Sequence, residues 1–234
     1  MTVSGLLPPA LPFLGAAVFF GLSCVLRFSF YLGFIERPVA VALIWGALSG
    51  EWEVSLALGI FFELFWMDLI GAGTYIPPNA NFPLLLCLFL HSAFLAQGLN
   101  LAAPPLVPIV VAVPLAFVAT SVEQRHRVNL NTLHERLVED SRMDSSIDSK
   151  IIAAAVMRLW ALETLLFAGF GLIFYWLFEL LTFVLGHFPG PHNLGWPALW
   201  LTAALGGVLS LRTRRAVCSL AVSLAILSVL MLHG

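Results

Sequence analysis

Charge is the scarcest property of this chain. Of its 234 residues only 10% are Asp, Glu, Lys or Arg, whereas a soluble domain usually carries about 25%. Hydrophobic residues make up 60% of the chain, and the mean hydropathy is +0.97. The formal net charge of −2 offers no basic surface for a phosphate backbone. This balance excludes a soluble enzyme, a disordered tail and a nucleic-acid-binding protein.

Four stretches contain no charged residue, namely 1–26, 69–122, 180–211 and 216–234. One membrane crossing needs about 20 apolar residues, so the second stretch alone is long enough for two crossings. The apolar runs are continuous and do not alternate in blocks of about ten residues, which favours helices over a β-barrel. The sequence therefore predicts an all-α, polytopic helical membrane protein.

Groupings typical of bound metals and of soluble catalysis are also missing. The three cysteines stand alone in apolar segments, and the six histidines show no metal-ligand spacing. There is no catalytic Ser/His/Asp pattern, no phosphate-binding loop and no dinucleotide fingerprint. We therefore expect no catalytic residue, no cofactor and no metal.

The apolar segments differ in length. Segment 39–50 is too short to cross a membrane as a straight helix, and segment 54–71 follows it after a polar break. Residues 71–81 hold two Gly, two Pro and two Asn, so they form a non-helical loop. Short, interrupted segments of this kind are typical of broken or re-entrant helices around a transport site. Further spans are predicted over 5–26, 82–98, 106–122, 197–211 and 216–232. Segment 151–186 is longer than one span needs, so we expect its first third to lie at the membrane interface and the rest to cross.

A polar segment divides the chain into three parts. Residues 123–150 hold eleven of the 24 charged residues, and they separate a membrane half, 1–122, from a second membrane half, 151–234. The segment is either a solvated connector or a helix that docks a partner. Its basic residues place it in the cytoplasm by the positive-inside rule.

Glu63 is the strongest single candidate for a functional residue. It has nine uncharged residues before it and four after it, and a carboxylate inside an apolar helix costs about 2.5–3.5 kcal/mol on insertion scales. It is suited to accept hydrogen bonds from sugar hydroxyls or to carry a proton; the alternative is a structural hydrogen bond to a neighbouring helix. Asp68 lies five residues further on, roughly 140° around a regular helix, so the two carboxylates need not share a face.

Asn79 and Asn81 are further candidates. Their amides donate and accept, which suits polyhydroxylated ligands, although they can equally satisfy backbone groups of a broken region. His91 is a candidate for lining a cavity or for bonding a neighbouring helix, and Arg158 and Glu163 are a candidate ion pair.

The block 37–79 contains a spaced series of Gly, Pro and polar residues, namely Arg37-Pro38, Gly46, Gly50-Glu51, Glu63, Gly73 and Pro78-Asn79. In this pattern the block resembles the membrane component IIC of the mannose/fructose/sorbose class of the bacterial phosphotransferase system. More loosely, the resemblance covers most of the chain from about residue 20.

The resemblance implies a multi-pass protein of the bacterial cytoplasmic membrane that binds and translocates a hexose together with a second membrane subunit, IID. Soluble IIA and IIB subunits relay phosphate, and IIB phosphorylates the sugar, so IIC carries no phosphohistidine. The membrane complex would be a trimer of IIC–IID pairs. By resemblance, Glu63 and the loop 71–81, with Gly73, Asn79 and Asn81, contact the sugar.

The chain departs from the family pattern within this region. Gly71-Ala72-Gly73 replaces a common Asn-Ile-Gly, Asn79 replaces a common Asp, and Asp68 stands where a small residue is usual. Asp68 is therefore a candidate replacement for the lost carboxylate, and the identity of the sugar stays open. Two other functions remain as alternatives: a membrane assembly subunit without transport, and a stand-alone transporter of another small solute.

Overall fold

The regular structure in the described part of the chain is helical. The computed structural model describes residues 9–30, 34–35, 37–67, 77–96, 105–141, 149–185 and 195–210. Within these ranges there are seven helices: α1 (Ala10–Phe30), α2 (Pro38–Ser49), α3 (Trp52–Phe65), α4 (Asn81–Ala96), α5 (Leu106–Ser141), α6 (Ser149–Leu185) and α7 (Trp196–Ser210).

Three of these helices are long and apolar enough to cross a membrane. The qualifying stretches are Ala10–Arg27 in α1, Leu106–Asn129 in α5 and Ala153–Val184 in α6. The other helices are shorter; α2, for example, has 12 residues and is about 18 Å long, against about 30 Å of hydrocarbon. The predicted class, an all-α helical membrane protein, is confirmed. The predicted last span, 216–232, lies outside the described residues.

Helices α2 and α3 form a tight helical hairpin. Gly50 ends α2 in the left-handed conformation, with φ of 80°, and its N–H donates to the Gly46 carbonyl at 2.9 Å. A Cβ on Gly59 would lie 2.5 Å from the Cβ of Ala42, so the two helices cross with almost no space between them. This hairpin brings the start of α2 next to the end of α3, where Arg37 and Glu63 lie.

Helix α4 is the centre of the fold. Every residue from 81 to 94 is buried, which fits a helix that is apolar on all sides. Its aromatic side chains contact α1 and α6: the Phe82 ring centroid lies 5.0 Å from that of Phe20 and 5.3 Å from that of Phe167. The N-terminus of α4 is therefore held in the interior, and so is the loop that precedes it.

Helix α5 continues without interruption across residue 122, where the polar segment was predicted to begin. Helix α1 likewise runs past residue 26, the predicted end of the first span, through Arg27 to Phe30. Both extensions keep a charged residue within a helix, and these two residues, Arg27 and Glu123, pair with each other inside the protein. The division into 1–122, 123–150 and 151–234 stays a prediction.

Candidate functional site

Asn79 lies in the short segment between Pro77 and α4, and its backbone is anchored to α5. Its N–H donates to the Thr120 hydroxyl at 2.9 Å, and that hydroxyl donates to the Ala116 carbonyl at 2.9 Å. The Asn79 side-chain oxygen accepts a bond from the Asn81 N–H at 3.3 Å, which turns the chain into the helix. Part of the Asn79 side chain thus has the structural role that the sequence left open.

The amide nitrogen of Asn79 has a weaker partner. It donates to the Cys24 sulfur on α1 at 3.6 Å, and a thiol sulfur is a weak acceptor. Asn79 is buried. The side-chain N–H of Asn79 is therefore buried beside a weak acceptor, and a stronger acceptor can replace the Cys24 sulfur as its partner.

The two polar atoms of the Asn81 side chain also differ in how well they are bonded. Its side-chain nitrogen donates to the Ile35 carbonyl at 2.8 Å, ahead of α2. Its side-chain oxygen is buried and has no hydrogen-bond partner among the described residues. Asn81 therefore carries one acceptor that is available to a ligand.

Glu63 forms an ion pair with Arg37, with 2.9 Å between Oε1 and Nη1. The Arg37 side chain is 68% exposed, whereas that of Glu63 is 27% exposed. The second carboxylate oxygen, Oε2, is buried and finds no partner within the described ranges. A structural bond, which is the alternative to a role in binding, thus accounts for one of the two carboxylate oxygens of Glu63.

The segment at Ile35 and Arg37 links these side chains. Asn81 bonds the Ile35 backbone carbonyl, and Glu63 bonds the end of the Arg37 side chain, two residues further on in the chain. Glu63, Asn81 and Asn79 are therefore linked through this segment, and Glu63 and Asn81 each have one acceptor without a partner among the described residues. Asp68 and Gly73 lie outside the described residues.

His91 does not belong to this region. It lies ten residues after Asn81 on α4, about 15 Å further along the helix. Beside it, the Ser92 hydroxyl donates to the Glu51 carboxylate at 2.7 Å. Glu51, which the family pattern singled out, therefore ties the turn of the α2–α3 hairpin to α4.

A second polar cluster, which the sequence did not reveal, lies where α1, α5 and α6 meet. Glu123 pairs with Arg27 at 3.5 Å and with Arg127, one turn further on in α5. The Glu123 side chain is only 6% exposed. The sequence does contain a signal, since Arg27 and Glu123 are the first charges after long uncharged runs, but such charges equally mark the ends of apolar spans.

Glu163 belongs to the same cluster and does not pair with Arg158. A separation of five residues places the two side chains about 140° apart around α6; Arg158 is exposed, and Glu163 is buried. The candidate ion pair is therefore wrong. Glu163 instead faces the interior, within electrostatic reach of Glu123 and Arg27.

The described residues contain no group of three or more His, Cys, Asp or Glu side chains placed to hold a metal ion. What they do contain is a set of buried amides and carboxylates between helices. Such groups form hydrogen bonds with hydroxylated, uncharged molecules.

The helices and these buried polar groups together define a helical membrane protein with a polar region in its interior. Comparison with known families specifies the class further: residues 13–186, about three quarters of the chain, match the family described as the sorbose-specific IIC component of the phosphotransferase system. The chain belongs to this family, which confirms the resemblance drawn from residues 37–79. It is a sugar-specific IIC membrane component, and its association with other components of that system follows from the family.

The family match extends from α1 to the end of α6, so it includes both the Glu63–Asn81 region and the cluster around Glu123. No curated protein and no solved structure gives a significant match to the chain.

Proposed function

We propose that this chain binds a hexose-class sugar and translocates it together with a IID membrane subunit, while a IIB subunit phosphorylates the sugar. In this proposal the chain is a transport subunit of the bacterial cytoplasmic membrane, and IIA and IIB carry the phosphoryl group. Membership of the IIC family supports the sugar-specific role. The hexose, the IID partner and phosphorylation by IIB rest on the resemblance.

One observation carries the proposal: Glu63 Oε2 and Asn81 Oδ1 are buried acceptors without donors in the described part of the protein. A buried polar group without a hydrogen bond costs about 1–3 kcal/mol. Sugar hydroxyls are hydrogen-bond donors, so a bound sugar removes this cost at both atoms. The same hydroxyls accept bonds, which suits the weakly held amide nitrogen of Asn79.

The charges of the region favour an uncharged solute. Glu63 is balanced by Arg37 at 2.9 Å, and Asn79 is neutral where the family commonly has Asp. A charged solute would have to enter a largely desolvated region without a free counter-charge among Glu63, Asn79 and Asn81. This argument favours a sugar over an ionic solute carried by a stand-alone transporter.

We include Asp68 and Gly73 in the proposed site as well. Both lie in the stretch that connects Glu63 to Asn79. In this proposal Asp68 supplies the carboxylate that Asn79 lacks, and Gly73 lets the backbone approach the sugar.

The proposal extends to assembly as a trimer of IIC–IID pairs. Helix α6 exposes large apolar side chains along its length, among them Leu165, Ile173 and Phe183. In a membrane protein such a face contacts lipid or another subunit. Co-purification of the chain with IID, followed by mass measurement of the complex, tests this part.

The decisive experiment measures phosphoenolpyruvate-dependent uptake of labelled hexoses into vesicles that hold the chain, IID and the soluble subunits. We expect Glu63→Gln to lower uptake at least tenfold while the complex still assembles. Glu53→Gln is the matched control, because Glu53 is an exposed carboxylate on the same helix.

Uptake at the wild-type rate in Glu63→Gln removes Glu63 from the site. If the wild-type complex assembles but binds and transports no hexose, the chain is an assembly subunit instead.

A further inference from the structure

Helices α1 and α6 approach each other very closely at Gly21. A Cβ at this position would clash with the Thr164 hydroxyl and would lie 3.0 Å from the Trp160 carbonyl oxygen. Cys24 lies one turn further along α1, and Glu163 lies in the same turn of α6 as Thr164. The close approach thus places the Glu163 carboxylate beside Cys24, and the two groups interact electrostatically.

Glu163 is a buried carboxylate that has no hydrogen-bond partner among the described residues. The residue is 1% exposed, and neither of its side-chain oxygens has a hydrogen-bond donor in the part of the chain that the structure describes. Burying an isolated carboxylate in an apolar environment is strongly unfavourable, so such a group normally has a defined partner or function.

The neighbouring charges do not supply that partner. Arg27 on α1 pairs with Glu123 on α5 at 3.5 Å, and it attracts Glu163 without a hydrogen bond to either of its oxygens. Glu123 itself repels Glu163, because both are acidic. Glu163 is therefore left with two acceptor oxygens facing the junction of α1, α5 and α6.

Asn79 also contacts Cys24. Its amide nitrogen is held only by the long bond of 3.6 Å to the Cys24 sulfur. A hydroxyl group both accepts and donates a hydrogen bond. A sugar hydroxyl is therefore chemically matched to Asn79, as acceptor, and to Glu163, as donor.

We propose that Glu163 is a second carboxylate of the sugar site, which binds one or two hydroxyls of the same sugar that contacts Asn79. This inference rests on the proposed function and extends it. It adds α6 to a site that the sequence placed entirely between residues 63 and 81. Two adjacent hydroxyls can donate to the two oxygens of one carboxylate, so Glu163 discriminates among sugars by the position of that pair.

The test is sugar binding to the full chain, purified in detergent together with its IID subunit, measured by calorimetry with D-mannose, D-fructose and L-sorbose. Glu163→Gln should weaken binding about tenfold to a hundredfold, the range for a hydrogen bond to a charged group. Glu179→Gln should leave binding unchanged. This control is a partly buried carboxylate on the same helix, about 24 Å further along.

Monodeoxy analogues of the sugar that binds identify the contact. In the wild type, removal of the hydroxyl that meets Glu163 weakens binding, and in Glu163→Gln the same removal has little further effect. Residues that do not touch this hydroxyl produce additive losses. A purely structural role of Glu163 therefore leaves the pattern of deoxy analogues unchanged and overturns the proposal.

The failures of the two proposals are distinguishable. If the wild type binds none of the three sugars, the proposed hexose function fails. If the wild type binds and Glu163→Gln binds equally well, only the role of Glu163 fails.

Should Glu163→Gln not assemble, the wild-type complex is labelled with dicyclohexylcarbodiimide, an apolar carboxyl reagent, and the labelled residues are located by mass spectrometry. Bound sugar should then protect Glu163 and not Glu179. Equal labelling of Glu163 with and without sugar overturns the proposal.

Discussion

The pair Arg37–Glu63 allows the structural role of Glu63 to be separated from its role in binding. The two side chains are 68% and 27% exposed, and ion pairs in contact with solvent contribute about 0–1 kcal/mol. We therefore expect Arg37→Gln to lower the free energy of unfolding by less than about 1 kcal/mol. A hydrogen bond from a sugar hydroxyl to a carboxylate is worth more, about 1.5–3 kcal/mol.

The assay combines four proteins and two measurements. Wild type, Arg37→Gln, Glu63→Gln and the double variant are compared for thermal unfolding in detergent and for hexose binding by calorimetry. In unfolding, we expect small and non-additive effects, because each single change breaks the same ion pair. In binding, Glu63→Gln should lose at least tenfold and Arg37→Gln much less.

One result would refute this reasoning. If Arg37→Gln weakens binding as much as Glu63→Gln, and the double variant is no worse than either, then Glu63 acts only through its ion pair. The free Oε2 atom would then have no part in sugar binding.

Three further changes test the fold around the site. Gly50→Ala should lower the free energy of unfolding by about 1–2 kcal/mol, because Gly50 is left-handed; Gly15→Ala, in open space within α1, is the control and should stabilise slightly in the same thermal assay. Thr120→Val removes the nearer acceptor of the Asn79 N–H, at 2.9 Å, and leaves only the Ala116 carbonyl at 3.3 Å. We therefore expect a loss of about 0.5–1.5 kcal/mol in thermal unfolding together with weaker sugar binding; unchanged binding would show that this anchor is dispensable. Scrambling 129–147 should leave sugar binding intact and lower phosphorylation of the bound sugar by IIA and IIB; unchanged phosphorylation would identify the segment as a solvated link.

The helices were predictable because their signal is local. A continuous apolar run of sufficient length has few alternatives to a helix in a membrane, since its backbone groups must bond within the segment. The breaks were predictable for the same reason: Gly50 and Pro38 mark the ends of α2 in both the sequence and the structure. The start of α4 at Asn81 likewise follows the turn formed by Asn79.

The site itself was only partly predictable, because most of its bonds are between distant parts of the chain. Asn79 bonds Cys24 and Thr120, and Asn81 bonds Ile35, across 55, 41 and 46 residues. A single sequence indicates that these buried amides need hydrogen-bond partners. It does not show which distant residues the fold brings close enough to be those partners. Cys24, which the sequence identified only as an isolated apolar cysteine, is for this reason part of the region.

Charge was also misleading as a marker of helix ends. Arg27 and Glu123 each follow a long uncharged run, and at such a position a charge normally reaches water. In the structure each neutralises the other, so α1 and α5 continue past them. Whether a charge ends a span thus depends on a partner that lies 96 residues away in the chain.

Glu63 and Glu163 show what decides whether a functional carboxylate is visible in a sequence. Glu63 has no basic residue near it in the chain, so its cost in an apolar helix demands an explanation at once. Glu163 has the basic residue Arg158 nearby in the sequence, which suggests an ion pair. However, a separation of five residues places the two side chains on different faces of the helix. In the folded protein the relation is reversed. Glu63 has an arginine at 2.9 Å, and Glu163 has no donor among the described residues. Glu163, for which the sequence offers a nearby basic residue, is therefore the carboxylate with fewer hydrogen bonds among the described residues.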